Sequence, residues 1–135
     1  MAEELKLEIV TPFGKTYENT IVSCIVPGAM GQFQVLKGHA DMLSAVDVGQ
    51  VRLQESSNTE KVLATGGGFC EVINNKVRLI VESAEFAEAI DVQRAERAKE
   101  RAEKRLASHD ADVDLVRAQS ALLRALNRLR TAQLL

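Results

Sequence analysis

Between Lys76 and Leu106 the chain reads KVRLIVESAEFAEAIDVQRAERAKERAEKRL, and its periodicity changes within that stretch. Up to Ser83 the period is two. Val77, Leu79 and Val81 alternate with Arg78, Ile80 and Glu82, as in a strand with one buried face. Beyond it, Ala95, Ala98, Ala102 and Leu106 recur three or four residues apart, which puts them on one face of a helix. From Ala84 to Leu135 there is neither glycine nor proline.

Upstream the period of two continues. LKLEIV sets Leu5, Leu7 and Ile9 against Lys6, Glu8 and Val10, and TIVSCIV, QVRLQES and KVLAT also read as strands. The turn signals TPFG, PGAMG, LKGH, DVGQ, SSN, TGGG and INNK separate them. Downstream, ASHDADVD interrupts the helical pattern, with Ser108, Asp110 and Asp112 as N-cap candidates. A second helix follows, with Leu115, Ala118, Leu122, Ala125 and Leu129 on one face. The expected architecture is α+β. Residues 1–84 form an antiparallel β-sandwich and residues 85–135 an antiparallel two-helix hairpin. The seam of that hairpin is rich in alanine, which buries little area, so its closure is expected to need help from outside.

The 135 residues are 46% apolar but only 4% aromatic, without tryptophan, so a core must rely on valine, leucine, isoleucine and alanine. A net charge of -2 offers no basic surface for nucleic acid. Cys24 and Cys70 stand in strand-like surroundings outside any CxxC pair, and His39 and His109 are the only histidines. Buried free thiols in a reducing compartment are therefore expected, and no metal. No signal peptide is evident, and no apolar run approaches the roughly 18 residues that cross a bilayer.

Motifs for chemistry fail on inspection. TGGGF, from Thr65 to Phe69, lacks the Lys-Ser/Thr of a phosphate loop and reads instead as a bulge or a close crossing of backbones. DADVD, from Asp110 to Asp114, opens like a calcium loop. Leu115 and Ala121 stand where glycine and glutamate would be needed. His39 has no nucleophile beside it, and an enzyme is not expected.

The arginines form a pattern. At about 100° per residue, Arg94, Arg101 and Arg105 make one stripe, and Arg117, Arg124 and Arg128 another. Each flanks the apolar face of its helix. Paired helices could converge the stripes on one polyanion. Alternatively Glu96, Glu100 and Glu103 serve as helical ion-pair partners, and the face is merely solvated.

The order of parts carries a resemblance across the whole chain. LEIVTP is followed by VPGAMGQFQVLKGHADML, then GGGFCEV, then a hairpin opening with IDVQRA. This closely resembles the epsilon subunit of bacterial and chloroplast F-type ATP synthases. The resemblance implies a non-catalytic rotor subunit that requires no cofactor. Its sandwich would bind the gamma subunit and rest on the c-ring. Its hairpin would permit ATP hydrolysis when folded and inhibit it when extended into the alpha/beta catalytic head. ATP is implied as a regulatory ligand, at Glu85, Ile90, Asp91, Arg94, Ala95, Arg101, Arg124 and Arg128. In this picture Asp91 and Glu85 orient the nucleoside or lock the arginines.

The loop from Gly31 to Met42, with Gln32, Phe33 and His39, is the implied c-ring contact. Gln32, Lys37 and Asp41 depart from the family pattern there, so its electrostatics differ. The implied location is the cytoplasmic face of a bacterial plasma membrane, or the stromal side of a thylakoid, with membrane association only through the complex. The rival expectation is a stand-alone ATP-sensing module with no synthase partner.

Overall fold

The computed structural model describes residues 4–108 and 110–133. The outermost residues of both expected domains, and His109, lie outside the described residues. The chain divides into two compact units between Phe86 and Ala87. The boundary expected after residue 84 moves because Ala84–Phe86 still pair as a strand with Leu63–Thr65.

In the first unit the strands are β1 (Leu5–Thr11), β2 (Gly14–Gly28), β3 (Gly31–Leu36), β4 (Met42–Val46), β5 (Gly49–Glu55), β6 (Glu60–Thr65), β7 (Gly68–Ile73), β8 (Lys76–Val81) and β9 (Ala84–Phe86). Their order is β1-β8-β7-β4-β2-β5-β6-β9, with β3 on β2 and β1 also on β2. The first half of β2 pairs with β1, and the second half with β3 and β5, so this one long strand belongs to both layers of the sandwich. The pairing is antiparallel except between β1 and β8, which run parallel. That exception follows from both strands entering the same layer from a neighbouring end, where the Lys6 N–H donates to Asn75 O.

The alternation read from sequence sets the core. Leu5, Leu7 and Ile9 of β1, Val77, Leu79 and Val81 of β8, and Val26, Val35, Val51, Leu53 and Leu63 of the other strands are buried together. Cys24 and Cys70 are buried free thiols of this core. Burial pushes the Cys24 thiol up to about 12 and the Cys70 thiol up to about 11, so both stay protonated. Two turns repay the sequence signals. Asn74 and Asn75 adopt left-handed φ of 48° and 62°, which asparagine tolerates, and so join β7 to β8 in two residues. At Gly68 a Cβ would lie 2.0 Å from Ile80 O, so the backbones cross there as the TGGG glycines suggested.

Glu55, 9% exposed, is held inside by polar partners. Its Oε2 accepts from Tyr17 Oη at 2.7 Å and Asn19 Nδ2 at 2.8 Å, and Lys61 Nζ lies 3.7 Å from Oε1.

The second unit holds a short 3-10 turn (Ala87–Ala89), α1 (Val92–Ala107) and α2 (Leu115–Ala132). The two helices pack on one another. Ala95 and Ala102 of α1 and Ala118 and Ala125 of α2 are buried, at seven-residue spacing on each helix. Side chains this small let helix axes approach closely, while each buried methyl adds only about 0.8 kcal/mol. Two expectations are corrected here. Asp114, not Ser108, Asp110 or Asp112, caps α2. Ser108 is the C-cap of α1, its Oγ accepts from the Asp110 N–H, and Asp110 Oδ1 accepts from the Asp112 N–H, so the connection turns locally until Asp114. Leu115 is 52% exposed rather than in the seam, because as the first helical residue it leans past the helix end.

The Tyr17 hydrogen bond holds the Glu55 carboxyl below its usual range, aided by Asn19 and Lys61 and opposed by burial. Burial raises Tyr17 to about 12, so it remains a donor. A depressed carboxyl stabilises the fold above its unfolded value of about 4.3 and loses that contribution as pH falls through its folded value. Tyr17→Phe should therefore be less stable than the parent at neutral pH, with the gap closing as pH falls below about 4.3. Urea midpoints measured from neutral pH downward test this, and a gap that does not narrow refutes the assignment.

Candidate functional site

IDVQRA forms the start of α1. Asp91 is its N-cap, with Oδ1 accepting the Arg94 N–H at 3.0 Å. Ile90 before the cap and Ala95 in the following turn are both buried, the arrangement of a hydrophobic staple. Ile90, Asp91 and Ala95 thus each have a structural task of their own. The pattern recurs as VDLVRA at residues 113–118, where Asp114 Oδ1 accepts the Arg117 N–H at 3.2 Å and Ala118 is buried. The signal for this duplication stood in the sequence as two copies of D-x-x-R-A.

Arg94, Arg101, Arg117 and Arg124 each precede one of the four buried alanines of α1 and α2. Arg105 and Arg128 each follow one by three residues, which at about 100° per residue returns to nearly the same side. A two-fold axis perpendicular to an antiparallel pair maps the position before one seam residue onto the position before its counterpart. All six arginines therefore lie on one side of the hairpin. The column Arg94, Arg101, Arg105 runs beside Arg128, Arg124, Arg117. Arg94 to Arg101 spans about 10 Å at 1.5 Å per residue.

The alternative of local ion pairing does not hold. Glu96, Glu100 and Glu103 are spaced three or four residues from Arg97, Lys99 and Lys104, not from Arg94, Arg101 or Arg105. Glu96 and Glu103 each follow a seam alanine, on the opposite side. Helix α2 contains four arginines and no acidic residue. Among the described residues, Arg94, Arg101 and Arg124 make no ion pair with a carboxylate. Arg128 is half-buried, whereas Arg94, Arg101 and Arg124 are exposed. Glu85 stands on β9 in the first unit, opposite Ala64.

On the sandwich, the segment from Gly31 to Met42 is not the loop expected. GQFQVL alternates, so it forms β3, with Phe33 opposite Val26 and Val35 opposite Cys24. Phe33 and Met42 pack against the core, while Gly31 and Gln32 are exposed. The turn between β3 and β4 is fastened to the asparagine turn. Gly38 N–H donates to Asn75 Oδ1 at 2.7 Å, and Asn74 N–H donates to Asp41 Oδ1 at 3.3 Å. His39 is half-buried there, with Nδ1 2.6 Å from Ala40 O. Among the described residues no His, Cys, Asp or Glu side chains gather as a metal site would need.

A second surface was missed. Val10, Ile80, Phe69 and Ala45 lie side by side across β1, β8, β7 and β4. Ile80 is 46% and Phe69 55% exposed, and Leu43 nearby is 71% exposed. The next row is Glu8, Arg78, Glu71 and Leu43. Glu8 there meets Lys15, Lys76 and Arg78 at 3.3–3.9 Å. An apolar strip with a charged border is the composition of a protein-docking surface. Its signal in the sequence was Ile80, an apolar residue in phase with Arg78 and Glu82.

The family model for the ATP synthase delta/epsilon chain β-sandwich domain matches residues 4–87, and that for its long α-helix domain matches residues 88–133. The chain belongs to the ATP synthase delta/epsilon family. It is 42% identical over 134 residues to the ATP synthase epsilon chain of Syntrophomonas wolfei, covering 98% of both. It is 45% identical over 130 residues to that of Nitratidesulfovibrio vulgaris, covering 96% of both. Among solved structures, a chain of the Euglena gracilis mitochondrial ATP synthase shares the fold with a TM-score of 0.81 at 19% identity, over 98% of this chain and 82% of that one. A chain of the Tetrahymena thermophila mitochondrial ATP synthase central stalk and c-ring does so with 0.63 at 12% identity, over 98% and 96%.

If the D-x-x-R-A repeats are caps, Asp91→Ala and Asp114→Ala should each cost about 1 kcal/mol of hairpin stability. Thermal melts followed by helical circular dichroism would show it, with Asn substitutions keeping most of the parent's stability. Equal melting of parent and alanine variants would refute the capping roles.

Proposed function

We propose that this chain is the epsilon subunit of the central stalk of a proton-translocating F-type ATP synthase, and that its hairpin is an ATP-responsive brake. The arginine face carries the regulatory part of this reading. It consists of two columns on separate helices, so it is whole only while the helices are paired. A polyphosphate bridging the columns binds the paired form and not the separated one. It stabilises pairing by RT ln(1 + [L]/Kd), and ATP thereby favours the state that permits hydrolysis. Arg94, Arg101, Arg124 and Arg128 supply the charge. Asp91 contributes by fixing where α1 begins, and so where Arg94 stands.

The alanine seam supports the same reading. It closes the helices without a deep apolar core, so a ligand of modest affinity can decide the balance. When the helices separate, both columns become available to the catalytic head, which is the inhibitory contact the family resemblance implies.

The coupling role rests on the sandwich. The Val10–Ile80–Phe69–Ala45 strip is the docking surface for gamma, and Gly31, Gln32 and the turn bearing His39 face the c-ring. Phe33 and Met42 support that end from the core. Among the described residues no helix is long and apolar enough to cross a membrane. In this reading the subunit lies at the membrane through its partners, on the cytoplasmic face in a bacterium.

Isothermal titration of the whole chain with ATP tests the brake. Saturable binding is expected, and Arg124→Ala should weaken it roughly tenfold or more, since a charge-assisted hydrogen bond contributes about 1.5–3 kcal/mol. Binding unchanged by Arg124→Ala, or absent at millimolar ATP, refutes the phosphate role. Phe69→Glu tests the docking surface by placing a charge in the apolar strip. It should abolish co-purification with gamma while leaving ATP binding intact. Retention of gamma would overturn that placement.

A further inference from the structure

β9 is three residues long, lies at a sheet edge and pairs with β6 through Leu63–Phe86, Ala64–Glu85 and Thr65–Ala84. An edge strand this short frays unless its side chains are held. Ala84 packs against the core, and Phe86 adds the ring contacts. Phe86 packs on the sandwich core, meets the Tyr17 ring edge-on at 5.7 Å and 62°, and has Lys61 Nζ 5.2 Å from its centroid. Both neighbours are fastened in turn. Tyr17 donates to Glu55 Oε2, and Lys61 pairs with Oε1, so one carboxylate fixes the two groups that grip the ring. Three further strands, β2, β5 and β6, thereby converge on the last residue of the sandwich.

Immediately beyond Phe86 the character changes. Ala87–Ala89 form a single 3-10 turn, closed by a long bond from Ile90 N–H to Ala87 O of 3.4 Å, before the Asp91 cap starts α1. The segment 87–90 is thus bounded by an aromatic anchor on one side and a helix cap on the other.

We infer that the Tyr17–Glu55–Lys61–Phe86 cluster is an anchor that ends the rigid sandwich at Phe86 and confines the bending of the chain to residues 87–90. The bending part of this inference rests on the switching of the hairpin proposed above. The anchor sets the point from which the hairpin swings, so a looser β9 lengthens the lever and blurs the two states. Phe86 in this sense is a positioning residue: it touches no ligand and acts through the segment that follows it.

Amide hydrogen exchange of the full chain, resolved by residue, tests the anchor. In the parent, residues 84–86 should exchange at least about tenfold more slowly than residues 88–90. Phe86→Leu keeps an apolar side chain but removes the edge-to-face and cation–π contacts. It should speed exchange of 84–86 about tenfold and leave β1 and β8 unchanged. Tyr17→Phe keeps the ring and loses the link to Glu55, and should give a smaller change in the same residues. Equal exchange of 84–86 and 88–90 in the parent, or protection unaffected by Phe86→Leu, overturns the inference. Saturating ATP should alter exchange only from residue 87 onward. A response that spreads into 84–86 also overturns it. Absence of any ATP response would sink the switching reading and its hinge, while the comparison within the parent and the Phe86→Leu comparison would still decide the anchor.

Discussion

The sandwich depends on β2 serving two layers at once. A strand that changes partners midway must keep its side-chain alternation in phase with both sheets, since a slip of one residue would turn its buried face to solvent. The register shifts show how this is done. One falls between Ile9 and Val10 on β1, and one between Ile21 and Ser23 on β2. The second sets Val22 outside the core while Ile21, Cys24 and Val26 stay within it. Bulges of this kind bend a strand and increase its twist, which carries β2 from β1 to β5. The core that results is built of valine, leucine and isoleucine, in keeping with a chain that has few aromatic residues.

The hairpin works by a different balance. Each helix is secured locally, by its own aspartate cap at the start and, for α1, by Ser108 at the end. The side chains the two helices bury are the run of alanines and Thr131. Local and non-local terms therefore differ in kind: each cap lies within the first turn of its own helix, while the seam lies between the helices. The switching proposed above draws on that difference, the helices being kept while their pairing changes. The same alanines that line the seam also set the phase of the arginines, so the small side chains of the seam and the charged face come from one repeat.

The polar cluster around Glu55 links these two regimes. A carboxylate at the sandwich interior is acceptable because it accepts two hydrogen bonds and lies near a lysine. Its partners act on the ring of Phe86, the last residue before the chain becomes helical. These contacts thus gather on the sandwich side of the junction.

The sequence by itself determined the class of fold, the position of most strands, both helices and the two arginine stripes. These are local properties: a period of two or of 3.6 is written in neighbouring residues. It did not mark Asp91 as the cap of α1, and it read the segment after Gly31 as a loop although GQFQVL alternates. Only the tertiary structure decided which apolar residues outside the core line up. Val10, Ile80, Phe69 and Ala45 come from four strands, and their row exists only through register. It also decided that Tyr17, Glu55, Lys61 and Phe86 meet, since residues far apart in the chain carry no mark of their future neighbours. Pairing brings them together, and the chain order does not record it.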